Sequence, residues 1–212
     1  MEYLLSSAVG YLLGSVNPAY LIGRLKGFDI REKGTGNAGA SNAKLVMGWP
    51  YFFICAGYDI LKAIIAYGIV NLIYPGDRML CVIAGCGAVI GHCLPFYLGF
   101  KGGKGFASFI GLSFVINPKV AVIVLVCGLA FALPLKYIVI ATFNQFIAFP
   151  VYMVVSGQYP PQMCAAVVIT VAVCLYKHRI NIVRFLSKQE INTDGKHIGI
   201  NILNKKENKD VG

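Results

Sequence analysis

YFFICAGYDILKAIIAYGIVNLIY, residues 51–74, carries only two charged side chains, Asp59 and Lys62, across its whole length. A helix rises about 1.5 Å per residue, so crossing a hydrocarbon core of roughly 30 Å takes about 20 mostly apolar residues. This stretch meets that length, and it has company. SSAVGYLLGSV (6–16), MLCVIAGCGAVIG (79–91), VAVIVLVCGLAFALP (120–134), YIVIATFNQFIAFPVYMVV (137–155) and MCAAVVITVAVCLY (163–176) are equally apolar. Hydrophobic residues make up 57% of the 212-residue chain and charged ones 13%, where a soluble domain is about a quarter charged. One soluble core cannot hide all of these blocks. The expected fold is all-α: a polytopic membrane protein.

Spans are expected at 2–23, 51–73, 79–97, 106–117, 119–133, 137–155 and 161–176, seven in all, with the fourth the shortest. The basic residues support that number. With the N-terminus outside, the loops at 24–49, 98–105 and 134–136 and the tail after 176 carry 16 of the 19 Lys and Arg, as the positive-inside rule requires. Only Arg78 and Lys119 fall on the other face, and Lys62 lies within a span. An even number of spans would separate the basic 24–49 loop from the basic tail. The first block is not expected to be a cleaved signal peptide, because it begins with Glu2 rather than a basic region and Gly-Ser-Val-Asn-Pro follows it. Residues 1–190 form one expected domain and 191–212 a polar cytoplasmic tail.

The net charge of +10 is thus mostly a property of the inner face, where it meets anionic headgroups. The tail offers no stacking platform or module for nucleic acid. Seven cysteines in or beside the spans, without CxxC spacing, read as small packing residues. Gly10–Gly14 and Gly87–Gly91 are small-xxx-small pairs that let helices approach closely. Pro18 is expected to interrupt the first span, and the carbonyls it frees need partners. Asp59 and Lys62 share a helix face. They read either as a structural ion pair or as part of a polar site, since ionisable groups within a bilayer are costly.

Two glycine-rich, lysine-bearing stretches, KGTGNAGASNA (33–43) and KGGKG (101–105), sit at the water boundary. Glycines bring backbone N–H groups close to a phosphate, and lysines add charge. The first lies in the long 24–49 loop, and loops of that length are usually functional or disordered. The second ends where a helix should begin, a natural phosphate seat. It is not a Walker A loop: Gly99-xxx-Gly103-Lys104 is one residue too short and lacks the following Ser or Thr. His92, just before it, reads as a cap or brace of a helix end. A third candidate opens the tail, His178-Arg179-x-Asn181-x-x-Arg184. A helix continuing past the membrane would place His178 and Asn181 on one face, and an imidazole can accept a proton near neutral pH. No GxSxG elbow, HExxH or metal-ligand cluster is present, and none of His92, His178 and His197 is followed by Asp five residues on. A serine nucleophile or a zinc mechanism has no support.

Together these segments resemble the bacterial acyl-phosphate:glycerol-3-phosphate acyltransferase family, integral membrane enzymes of phospholipid synthesis. The family patterns are approximately DxRxxGSGNxGATN, GHxxPxFxxFKGGKGxAT and HxxNIxRLxxxxE. The chain matches them with Asp29 to Asn42, Gly91 to Gly105 and His178 to Glu190, in order, and Gly14–Tyr20 and Asp59–Lys62 also fit. The resemblance implies a seven-helix bundle that moves an acyl group from acyl-phosphate to the 1-hydroxyl of glycerol-3-phosphate. It implies that Thr35, Gly36, Asn37, Gly39, Ser41, Asn42, Lys101, Gly102, Gly103, Lys104 and Gly105 bind substrate phosphate. His178 and Asn181 are the implied catalytic residues. The expected partners are the two substrates and membrane lipids, with no nucleic acid, cofactor or metal; the expected state is a monomer in the bacterial inner membrane.

Three positions depart from the family. Leu45 stands where Arg is usual, Val139 where Ser is common, and Ala63 in place of Gly. Lys44 could replace the missing guanidinium in part, as a point charge without its fork. These departures keep a low-activity, lipid-phosphate-binding paralogue open. A transporter of an anionic solute, built around Asp59, Lys62 and the broken first helix, is the other alternative, although it predicts internal repeats that the sequence lacks.

Overall fold

The computed structural model describes residues 1–187, and no strand occurs among them. Glu190 of the third motif, His197 and the tail at 191–212 lie outside the described residues. Ten α-helices follow in order: α1 (Glu2–Ser15), α2 (Pro18–Leu25), α3 (Ala40–Met47), α4 (Trp49–Ile73), α5 (Arg78–Cys93), α6 (Phe106–Ile116), α7 (Pro118–Leu135), α8 (Ile138–Val155), α9 (Pro161–Lys177) and α10 (Arg179–Leu186). Short 3₁₀ turns at Ile30–Glu32 and Phe96–Leu98 interrupt the two glycine-bearing connections.

Helix α5 is the axis of the bundle and touches α1, α4, α6 and α9. Of its apolar window, 72% is buried, against 17% for α7, so α7 presents most of its side chains outward, as a lipid-facing helix does. Small residues let α1 and α5 meet almost backbone to backbone: a Cβ on Gly10 or Gly14 would strike the backbone of Ala84 or Ala88, and one on Gly91 would strike Tyr11. Farther along, Phe109 of α6 meets Phe146 and Phe149 of α8 edge-on, with centroids 5.2 and 6.3 Å apart.

By length and composition, four helices can cross a membrane, or five if α9 and α10 form one bent span. Helices α1 and α6, with 14 and 11 residues, are shorter than a free-standing span requires. The expected first span over 2–23 is two helices, because the chain breaks at Val16–Asn17 before Pro18. Asn17 restarts it by accepting from the Tyr20 amide, 2.9 Å. The 24–49 connection is not a continuous loop. It holds a 3₁₀ turn and α3, which its Gly-, Ser- and Asn-rich start concealed. The expectation that His178 and Asn181 share one helix face is also corrected: the chain bends by 60° at His178, so Asn181 belongs to a separate helix.

Candidate active site

The first glycine segment is folded around one side chain. Asn42, fully buried, accepts from the Thr35 amide at 2.7 Å and donates to the carbonyls of Ile30 and Lys33, both at 3.0 Å. Its amide is therefore committed to the loop's own backbone. Gly34 and Gly36 adopt φ of +59° and +73°, a region that costs an L-residue about 1–2 kcal/mol. Gly39 then caps α3, with no side-chain bond to the first-turn amides. Thr35 and Asn37 are half-buried, while Gly36 and Ser41 are exposed.

The second segment is held by backbone. The amides of Gly102 and Gly103 donate to the carbonyls of Cys93 (3.3 Å) and His92 (3.0 Å). A Cβ on Gly102 would strike the His92 carbonyl, and one on Gly103 would enter the His92 ring at Nε2. Gly105, at φ +89°, caps α6, again with no side-chain bond to the first turn. Two glycine-capped helix starts thus offer N–H groups that no side chain occupies, the arrangement that seats anions. Lys101 is exposed and Lys104 half-buried.

Three bridges bring these segments together. Arg31 forks onto Asp29 (2.7 Å) and donates to the Leu98 carbonyl (2.9 Å) across 67 residues of sequence. The guanidinium hydrogen bond holds the Asp29 carboxyl below its ordinary range, and Asp29 in turn raises Arg31. Asn17 donates to the Ala38 carbonyl, 2.8 Å. Tyr97 closes the break in the first helix by donating to the Ser15 carbonyl (2.8 Å) and accepting from the Asn17 amide (3.2 Å).

The third segment joins through Lys104, which donates to the Asn181 amide oxygen at 2.5 Å, and Lys177, which donates to the Phe100 carbonyl at 3.4 Å. His178 is buried, its ring in T-shaped contact with Phe143 and Phe146 at centroid distances of 6.1 and 5.5 Å. Its Nδ1 lies 2.9 Å from the Cys174 carbonyl. A carbonyl only accepts, so Nδ1 carries the proton and Nε2 of the neutral ring keeps its lone pair. The bend that separates Asn181 from the His178 face also turns Asn181 toward Lys104.

Sequence reasoning missed Asn17 and Tyr97, whose partners are 21 to 82 residues away. It also treated His92 apart from Asp59 and Lys62. The three form one buried cluster: Lys62 Nζ lies 2.8 Å from Asp59 and 2.6 Å from His92 Nδ1, and His92 Nδ1 lies 3.2 Å from Asp59. Of the departing positions, Leu45 is exposed on α3, Val139 is buried, and Lys44 sits 4.1 Å over the Trp49 ring.

A family model described as glycerol-3-phosphate acyltransferase matches residues 4–188. The chain belongs to that family. It is 33% identical over 190 residues to the glycerol-3-phosphate acyltransferase of Aquifex aeolicus (strain VF5), covering 90% of this chain and 98% of that protein. To the Halalkalibacterium halodurans enzyme of the same name it is 36% identical over 185 residues, 85% of this chain and 90% of that one. The fold is similar to the crystal structure of PlsY (YgiH), an integral membrane glycerol 3-phosphate acyltransferase. In its glycerol 3-phosphate form that structure has a TM-score of 0.82 and 32% identity, covering 91% of this chain and 96% of that one. Its lysophosphatidic acid form gives a TM-score of 0.80, with 91% and 95% covered. Against these family members, the helical bundle with several membrane-capable helices identifies an integral membrane acyltransferase.

Proposed function

We propose that this enzyme transfers an acyl group from acyl-phosphate to the 1-hydroxyl of glycerol-3-phosphate, giving 1-acyl-glycerol-3-phosphate and inorganic phosphate for phospholipid synthesis. The observation that carries the reading is the wiring of the three segments: Arg31 and the Tyr97–Asn17–Ala38 chain tie the first glycine segment to the turn before the second, and Lys104 of the second holds Asn181. Both substrates bear phosphate, and two anion seats are what they need.

In this reading, N–H groups and polar side chains over Thr35, Gly36, Asn37, Gly39 and Ser41 hold one phosphate, with Asn42 fixing the loop's shape from beneath. Lys101, Lys104 and the α6 start at Gly105 hold the other, with Gly102 and Gly103 setting the turn against His92. The hydroxyl oxygen forms a bond to the anhydride carbonyl carbon, and the bond from that carbon to the phosphate oxygen breaks. The proton of the hydroxyl passes to His178 Nε2, whose lone pair the Cys174 contact leaves available, or to the departing phosphate. Lys104 and Asn181 orient the reacting groups, and fixed orientation alone lowers such barriers by several kcal/mol.

The protein crosses the bacterial inner membrane seven times as a monomer with its N-terminus outside. Residues 1–190 form one domain, and 191–212 a cytoplasmic tail. The basic residues clustered beside the glycine segments support this orientation. Contact with α5 and α4 shelters the short α1 and α6.

Purified protein given acyl-phosphate should release phosphate only when glycerol-3-phosphate is present. Release that ignores glycerol-3-phosphate would mean hydrolysis or another acceptor. At saturating substrate, His178→Ala and Asn181→Ala should each lower turnover about 100-fold or more, and wild-type turnover in both would remove that assignment.

A further inference from the structure

We propose that Asp59, Lys62 and His92 are positioning residues that fix the spacing between the two phosphate-binding segments. The cluster abuts the second segment directly and reaches the first through the helix break. Lys62, besides its contacts with Asp59 and His92, donates to the Val16 carbonyl at 3.3 Å. That carbonyl belongs to the break before Pro18, and the next residue, Asn17, holds Ala38 in the first glycine segment. On the other side, the His92 carbonyl accepts from the Gly103 amide, and its ring Nε2 fills the space where a Gly103 side chain would be. The His92 ring thus meets Lys62 and Asp59 through Nδ1 and turns its Nε2 edge to the second segment.

Three ionisable side chains no more than 3% exposed, on helices of an integral membrane protein, are an expensive way to gain stability. A buried ion pair is often no more stabilising than apolar residues of the same size. What apolar residues could not do is hold the freed carbonyl of one element while fixing the ring that abuts another. A single rigid cluster joins the helix break to the KGGKG turn, and a displacement of about 1 Å between the segments would cost about 100-fold in rate.

The rate arm of the test rests on the acyl-transfer reading; the exchange arm does not. In Asp59→Asn/Lys62→Met, both buried charges are gone. The double variant should keep a melting temperature near that of the wild type in detergent. Its kcat/KM for glycerol-3-phosphate-dependent phosphate release should nevertheless fall at least about 30-fold. Backbone amides of residues 33–39 and 101–105 should exchange with deuterium at least about tenfold faster. Lys62→Arg, which keeps a donor and a charge, should recover part of both losses. Should the double variant not fold, His92→Gln, which leaves the Asp59–Lys62 pair in place, carries the same expectations. Either readout at the wild-type level in a folded variant overturns the proposal. Wild-type protein that releases no phosphate defeats the acyl-transfer reading instead, and the exchange comparison then decides the spacing claim alone.

Discussion

In the 33–42 segment a side chain holds the backbone, whereas in the 101–105 segment backbone holds backbone. Asn42 spends its whole amide on Thr35, Ile30 and Lys33, and Gly36 serves the turn, at φ +73° with little around it. In KGGKG, neither Gly102 nor Gly103 has a positive φ; each is glycine because His92 leaves no room for a Cβ. Gly36 and the Gly102–Gly103 pair thus answer to two physical requirements, conformational freedom in the one and close approach in the other. Substitutions should separate them.

The largest effect is expected at Gly103. A Cβ there overlaps an imidazole that the Asp59–Lys62 contacts hold in place, so ring and loop must part. For Gly103→Ala, kcat/KM should fall about 100-fold or more, with the protein still folded in detergent. A fall of less than tenfold would mean the ring can yield, and the rigid-approach account of the second segment would fail. Asn42→Ala comes next. It removes three hydrogen bonds and leaves two carbonyls and one amide to find water, a loss of about 2–4 kcal/mol. The melting temperature should drop by several degrees and KM for one substrate should rise, while turnover at saturation changes less.

How much of this the sequence discloses depends on the range of the contact. The apolar runs at 51–73, 137–155 and 161–176 are helical over Trp49–Ile73, Ile138–Val155 and Pro161–Lys177, because the length of an apolar run is itself the signal. Pro18 marked the helix break correctly for the same local reason. Helix α3 stayed hidden because Ala-Ser-Asn-Ala-Lys carries no apolar period, and its start is fixed by Asn42 reaching back nine and twelve residues to Lys33 and Ile30. The bend at His178 has neither Pro nor Gly to announce it. The two glycine- and lysine-rich segments stood out in the sequence, since composition alone marks them. The wiring between them did not: Arg31–Leu98, Tyr97–Ser15 and Lys62–His92 join residues 30 to 82 apart, and no local pattern encodes such pairs.

Gly36→Ala sharpens the comparison from the other side. Only the Arg31 carbonyl, at 3.3 Å, lies near the added Cβ, so the cost is mainly the left-handed backbone, about 1–2 kcal/mol. We expect a melting temperature lower by about 2–6 °C and a kcat/KM loss well below that of Gly103→Ala. A loss matching Gly103→Ala would show that position 36, too, depends on close approach, with the substrate itself as the neighbour.

The smallest effect concerns the Arg31 bridge between the segments and is best read by pH. Because the Arg31 hydrogen bond lowers the folded-state Asp29 carboxyl, the ion pair contributes stability that is fully present above the unfolded carboxylate value. That contribution is lost as pH falls through the lowered folded value. The melting-temperature difference between the wild type and Asp29→Asn should therefore stay constant from pH 8 to about 5 and shrink only below about 4. The pair is partly exposed, with side chains 25% and 11% accessible, so solvent screening keeps the difference to about 1 kcal/mol or less. A difference that shrinks between pH 7 and 5 would point to a histidine rather than Asp29. The bridge from the first segment to Leu98 would then need another source of its rigidity.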